Sequence, residues 1–424
     1  MLVHDVLVIG GGVVGLAVLR ASTLAGYCNC VVLEQQDDLL HWASGSNSGI
    51  LCTGVDASGL ERALIRDSIA EWRIFARHMN LPLRSCGSLV CQWRRTEADD
   101  DTRLEEVLQE SHEAGDTHAQ YWTGSRVLEE EPHLNPEVVG AVHIPGEIVV
   151  DPWLSSIAFA VHARENGATI ETNAQVTKAE WDGSVWTIET SHGKKYQAKV
   201  VVSATGLWSD LVEREAAGSE PLFESRPRRG QYRIFAPSTP NLLKHPIQPV
   251  PTQFTKGVFV FSTLYDQVVV GPTALDQESR TDRSVDDNVA ETLEATGQHV
   301  LPDLDNPMAH YVGIRPGTDH RDYQIRTHRS QPWITVAGIR STGLTASLGI
   351  GRYVMHRIQD LLPFPKERPT IRTTPLPNVN ELVDDYHRRG DGTVAIEGHT
   401  YRVTHPLTRV GWEARTGLAA ANPS

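Results

Sequence analysis

Gly10, Gly12 and Gly15 follow the apolar run of residues 6–9, and Glu34 closes a second apolar run nineteen residues after Gly15. GxGxxG at that place gives a tight turn, a close main-chain approach to a diphosphate and close packing of helix on strand. Val13 and Val14 open the helix that follows, and its first N–H groups and positive dipole end suit phosphate. A carboxylate at position 34, with Gln35 beside it, is placed to accept from the ribose hydroxyls of an adenosine. The chemistry these residues imply is dinucleotide binding. A nicotinamide enzyme would continue with regular strand–helix units. This chain continues instead with "ASGSNSGILCTGVD", residues 43–56, small and polar with Cys52 in its middle.

Two later stretches carry the same kind of signal. "VWTIETSHGKKYQAKVVVSATGLWSD" predicts two strands joined at His192-Gly193, an apolar core at residues 200–202, and a turn at Ala204-Thr205-Gly206. "WITVAGIRSTGLTASLGIGRYVMHRIQDLL" predicts a strand at residues 334–336, a glycine loop at 338–343 and a helix from about Leu344, where Leu348, Val354, Ile358 and Leu361 recur at helical spacing.

With "ATGLWSD" in view, the chain resembles the two-domain FAD oxidoreductases of the D-amino-acid oxidase superfamily. "GSNSGILCTGVD", "RRGQYRIF", "TKGVFVFSTLYDQVVVGPTA", "VGIRP" and "AGIRSTGLTAS" occur in the order found in the branch of FAD-dependent glycerol-3-phosphate and L-2-hydroxyglutarate dehydrogenases, a likeness spanning residues 4–360. The resemblance implies FAD as cofactor. It implies flavin or nucleotide contacts at Ser44, Asn47, Ser48, Gly49, Val176, Ala204, Thr205, Gly206 and Arg315, and amides at Gly343, Leu344 and Thr345 aimed at the flavin pyrimidine ring, where reduction places negative charge. It also implies that Lys256 and Arg315 lie near a substrate anion; a guanidinium can grip a carboxylate or phosphate bidentately, and a lysine adds a point charge. A solvated Lys256 and a structural ion pair at Arg315 are the competing readings, and Arg340 is a further anion candidate.

The chain departs from this branch at two places. Relatives commonly carry histidine where Cys52 stands, and an unperturbed thiol, with a pKa of about 8.5, is a poorer base at neutral pH than imidazole. Relatives also often have His-Gly-Asn where this chain has Tyr265-Asp266-Gln267. Losing the histidine turns attention to an amine substrate, whose lone pair can drive hydride transfer without a strong base, or to Tyr232 of "GQYRIF" as the group that handles the proton.

These residues need a scaffold. The expected fold class is α/β with an α+β second domain: a Rossmann-like FAD-binding domain from residues 1–80, 145–215 and 325–365, and an antiparallel-sheet substrate domain from 81–144 and 216–324. Residues 151–167 predict a helix begun by Asp151-Pro152 and ended by Asn166-Gly167. "EADDDTRLEEVLQES" predicts an acidic surface helix. The tail, 366–424, predicts a short helix and a hairpin turning at Glu397-Gly398, assigned to docking or dimer contacts, so that homo-oligomerisation stays open.

The net charge of −14 over 424 residues argues against a nucleic-acid partner. Five cysteines without CxxC or zinc spacing read as reduced thiols, and eighteen histidines without HExxH spacing give no metal site. No apolar run reaches membrane-spanning length and no leader precedes the first strand, so a cytoplasmic location is expected. Three functions remain open: oxidation of a small anionic hydroxy compound, oxidation of an amine or amino acid, and non-catalytic FAD binding. The first two need an electron acceptor, which is oxygen, a quinone or a carrier protein.

Overall fold

The computed structural model describes residues 2–55, 57–94, 102–236, 242–251, 257–328, 330–366 and 370–415. Its first sheet is parallel at the centre. Thr169–Glu171, Val31–Leu33, Val3–Ile9, Lys195–Ser203 and Trp333–Ala337 lie side by side in that order. The register sets Ile9 beside both Leu33 and Ser203, so the C-terminal ends of the strands line up where the glycine turn departs.

Period-two alternation splits these strands between two cores. Val6, Val8, Val32, Val200, Val202, Ile334 and Val336 face the helices, while Leu7, Ile9, Val31, Leu33, Val201 and Trp333 pack with Trp186, Ile188 and Tyr196 of an antiparallel meander. With both faces covered, the strands can be continuously apolar. The helix Pro152–Glu165 is buried from residue 152 through 163, without a polar face. Asp151 caps it, accepting from the Leu154 amide at 2.7 Å.

The second sheet is antiparallel except where Ile247–Pro249 runs parallel to Ser88–Trp93. Its longest pair is Ser225–Phe235 against Pro307–Thr318, which sets Arg228 opposite Arg315, Gly230 opposite Gly313 and Tyr232 opposite Tyr311. The helices Gly124–Glu130 and Asp287–Val300 contribute to the apolar core on one side of this sheet, through Val127, Leu293 and Val300.

Residues 370–415 wrap back onto the first core. The helix Val379–Arg389 starts with an Asn378/Glu381 capping box and ends at Gly390, in the left-handed region. A hairpin, Thr393–Ile396 with His399–Arg402, turns through Glu397 and Gly398, and the helix Pro406–Glu413 follows. Leu382, Val394, Tyr401 and Trp412 join the same apolar cluster as the central helices.

Candidate functional site

A cavity of about 1560 Å³ opens between the C-terminal ends of the parallel strands and the second sheet. That exceeds the roughly 300–1,000 Å³ of an ordinary small-molecule pocket, as an extended dinucleotide with a substrate would require.

At one end its wall is main chain. Gly10 has φ +108°, and a Cβ there would come 2.5 Å from the Ala204 carbonyl oxygen; one on Gly12 would come 3.0 Å from Ser44 Oγ. The helix Val13–Leu24 begins without a side-chain cap, and its Val13 amide is held by Ser44 Oγ at 3.0 Å. Glu34, buried at the strand end, accepts from the Gly11 amide at 2.6 Å and the Gln36 amide at 2.9 Å. Burial raises its pKa, and these amides pull it back. Gln35, Val176, Ala204, Thr205 and Gly206 complete this end.

The middle is held by Asn47, which donates to the Ser44 carbonyl at 2.9 Å and accepts from the Gly49 amide at 2.9 Å; Asn47 and Ser48 line the cavity. Opposite, Gly343 and Leu344 present the start of the helix Gly343–Leu361. Thr342, the residue that would ordinarily cap that helix, has its hydroxyl committed to Glu61 Oε1 and Tyr323 Oη, each at 2.6 Å. The first amides are therefore left open to the cavity. The uncapped helix starts and the glycine cradle fit a dinucleotide's pyrophosphate and an electron-rich ring edge.

At the other end the wall is side chain. The Arg315 guanidinium lies over Gly230, where a Cβ would meet it at 2.9 Å. Its Nη2 donates to the Thr273 carbonyl at 3.1 Å, while Nη1 is buried without a hydrogen-bond partner among the described residues. Burial lowers its pKa, as expected of a cation short of a counter-ion. Tyr232 stacks on Tyr311, with centroids 4.4 Å apart and planes at 6°. Burial raises the Tyr232 pKa, so its phenol stays protonated at neutral pH and suits a donor rather than a proton acceptor. Cys52 lines the cavity too; its amide donates to Thr345 Oγ1 at 3.2 Å, and its Sγ lies 3.8 Å from the same oxygen.

Not every candidate reaches the wall. Gly15 packs beneath Gly10, Gly49 shapes the turn behind Ser48 at φ +69°, and Thr345 stands behind Cys52. Lys256 lies outside the described residues. Arg340 does line the cavity, but its Nη2 is 2.7 Å from Glu61 Oε2, so this further anion candidate already has a carboxylate. That partner comes from the helix Gly59–Met79, 279 residues away in sequence, with no local pattern to announce it. Tyr311 and Glu61 are the residues that sequence reasoning missed. Alternation on "PMAHYVGIRPGT" places Tyr311 on the same face as Arg315, which is the signal that could have found it. Among the described residues, no group of three metal-ligating side chains gathers, and no helix is long and apolar enough to cross a membrane.

Comparison with known proteins bears on this geometry. The FAD dependent oxidoreductase family model matches residues 5–357. The glycerol 3-phosphate oxidase of Mycoplasma pneumoniae is 29% identical over 364 residues, covering 82% of this chain and 93% of the relative. The human mitochondrial L-2-hydroxyglutarate dehydrogenase is 26% identical over 287 residues, covering 64% of this chain and 61% of the relative. The solved structure of dithionite-reduced L-alpha-glycerophosphate oxidase from Mycoplasma pneumoniae, with FAD bound, matches with a TM-score of 0.82 at 26% identity, covering 89% of this chain and 100% of that one.

Proposed function

The chain belongs to the FAD dependent oxidoreductase family, and from that premise we propose that it oxidises a small anionic hydroxy compound of the glycerol-3-phosphate or 2-hydroxy-acid type. The observation that carries this reading is the half-buried Arg315 guanidinium at the cavity wall, whose Nη1 is buried and unpartnered among the described residues. Relatives named for glycerol 3-phosphate and L-2-hydroxyglutarate support the same substrate class.

Gly10, Gly12 and the start of the helix Val13–Leu24 would hold the cofactor's diphosphate, Glu34 its adenosine ribose, and Ser44, Asn47 and Ser48 the chain that leads to the flavin. Bound FAD supplies the two-electron acceptor for hydride leaving the substrate carbon. The open amides of Gly343 and Leu344 would stabilise negative charge on the ring edge they face. Arg315 would grip the substrate anion, and the protonated Tyr232 would donate to it or to the substrate oxygen. Holding the anion fixes the reacting C–H bond, which is where most of the rate gain from positioning comes.

Cys52 favours a second reading, amine oxidation, because an alcohol needs a base for its hydroxyl proton and a thiol at the wall is a poorer base at neutral pH than an imidazole. An anaerobic screen separates the two. Bleaching of the flavin absorbance by glycerol 3-phosphate or a 2-hydroxy acid is expected, and bleaching by amino acids or N-methyl amines alone would decide for the amine. Colour returning on admission of air, or only after adding a quinone or a carrier protein, identifies the acceptor.

A further inference from the structure

A connection of the second sheet crosses to the nucleotide end of the cavity. Residues 277–286 join the strand Leu275–Asp276 to the helix Asp287–Val300. They are rooted on the strand Ser225–Phe235: the Gln277 amide donates to the Pro227 carbonyl at 3.1 Å, and Arg229 Nη1 donates to the Ser284 carbonyl at 3.1 Å and to Ser284 Oγ at 2.9 Å. Their tip rests on two turns of the first sheet. Arg280 Nη1 donates to Asp210 Oδ1 at 2.6 Å and to the Leu207 carbonyl, and its Nη2 donates to Asp210 Oδ2 at 2.8 Å, a bidentate pair. Arg283 Nη2 donates to the His41 carbonyl at 2.7 Å, and its guanidinium covers Trp42, 4.4 Å from the ring centroid. Trp42 in turn meets Trp208 edge to face, with centroids 4.7 Å apart.

Those two turns are walls of the nucleotide end. His41, Trp42, Leu207 and Trp208 line the cavity together with Glu34 and Gly206, and Gln277 and Glu278 line it from the crossing segment. The segment therefore fastens one wall to the other from outside. Its hold is made by charged and polar groups: among the described residues, none of 277–286 enters a buried apolar cluster. Burial pushes the Asp210 carboxyl up, but the Arg280 guanidinium outweighs this and keeps it below its ordinary value, so the pair is charged at neutral pH. The segment closes its own turns, with the Asp282 amide donating to Ser279 Oγ at 3.0 Å and the Ser284 amide to Asp282 Oδ1 at 2.9 Å, so it can move as one piece. The glycine cradle at Gly10 and Gly12 has no such freedom, since main chain closes on it at once. A dinucleotide that enters must displace something, and the crossing segment is the wall that can leave without exposing apolar core.

We propose that residues 277–286 are a latch over the nucleotide end, fastened by Arg280 on Asp210 and by Arg283 on Trp42, which opens to admit and release FAD. Stopped-flow flavin fluorescence on the deflavinated full chain reads the association rate, and transfer of FAD from the holoenzyme to an excess of a competing apoflavoprotein reads the release rate. Neither needs a substrate, so the outcome is independent of the reaction assigned above. Arg280→Ala should raise both rates by roughly 10- to 100-fold, because a gate that opens more readily speeds passage in both directions, while the dissociation constant changes less than either rate. Arg280→Lys, which keeps one cationic donor for Asp210, should recover part of the difference. Arg283→Ala, which loses the ring contact and one hydrogen bond, should raise both rates by roughly 3- to 10-fold. Faster release with an unchanged association rate would make the segment a fixed wall and overturn the latch, and so would two unchanged rates. Should Arg280→Ala fail to fold because it leaves the Asp210 carboxylate buried alone, Asp210→Asn, which keeps the side-chain shape and removes the charge, takes its place in the same two measurements.

Discussion

At the nucleotide end of the cavity the wall is main chain, Gly10, Gly12 and the first amides of a helix, with Glu34 beside them; at the substrate end it is side chain, Arg315 and Tyr232 from two paired strands and Cys52 from the loop after the strand Ile50–Leu51. The two materials respond differently to change. A main-chain wall has no spare space, so one added carbon removes the ligand from the site. A side-chain wall can be trimmed and still stand, so the same size of change alters affinity or substrate class while the cofactor stays.

The harshest way to break this contrast is Gly10→Val. Its Cβ would come 2.5 Å from the Ala204 carbonyl oxygen at φ +108°, a region closed to a β-branched residue. The variant should purify colourless, with no flavin absorbance, and lose roughly 2–4 kcal/mol of stability by denaturant titration. A full complement of FAD in that protein would show that the wall yields. Arg315→Ala is the counterpart at the other end. FAD should remain bound while the KM for the anionic substrate rises by roughly 30- to 1,000-fold, from the ~2–4 kcal/mol attached to a desolvated charge contact. Arg315→Lys should recover part of it. Loss of flavin with an unchanged KM would move Arg315 to the nucleotide end and collapse the distinction.

The same contrast explains what could be read in advance. Fold class and cofactor were legible because glycine turns and buried parallel strands are short patterns: Gly10, Gly12 and Glu34 fall within one strand–helix–strand unit, and their roles follow from local geometry. The substrate end depends on pairs far apart in sequence. Arg340 was one anion candidate and is paired with Glu61, Tyr232 acquired Tyr311 from across the sheet, and Asp151 acquired Tyr265 and Thr408. Nothing in the spacing of residues around 340 or 265 encodes those partners. Departures from a family pattern, at Cys52 and Tyr265, were visible as departures, but only packing showed that Tyr265 belongs with Trp412.

A smaller effect is set by pH. Burial pushes His405 down to about 3 and His162 to about 4, each from an ordinary 6.5, with Arg20 adding to the shift at His162. Both histidines are thus neutral in the folded protein. Between pH 6.5 and about 4 the unfolded chain binds protons that the folded chain does not, so stability rises with pH in that window and is lost on acidification. Each group contributes up to ~1.4 kcal/mol per pH unit. His405→Gln should flatten the slope of unfolding free energy against pH by about one proton, leaving that of His162. A slope unchanged in the variant would mean that His405 is already protonated in the folded state.

The smallest expected effect falls on the residue whose type is most conspicuous. Cys52 lies at the cavity wall with its amide, not its sulfur, making the shorter bond to Thr345, so replacing the thiol leaves that anchor in place. If the thiol only lines the pocket, Cys52→Ser should keep its FAD and change kcat/KM by less than about threefold, since a surface-like polar swap of equal size is worth under ~0.6 kcal/mol. A loss of a hundredfold would instead make the sulfur part of the chemistry. Cys52→His sharpens the result: turnover of a hydroxy compound should rise, because imidazole titrates near neutrality where a thiol does not. A histidine that leaves hydroxy and amine turnover both unchanged would place position 52 outside the reach of the reacting hydroxyl, and the substrate end would then be defined by Arg315 and the Tyr232–Tyr311 stack.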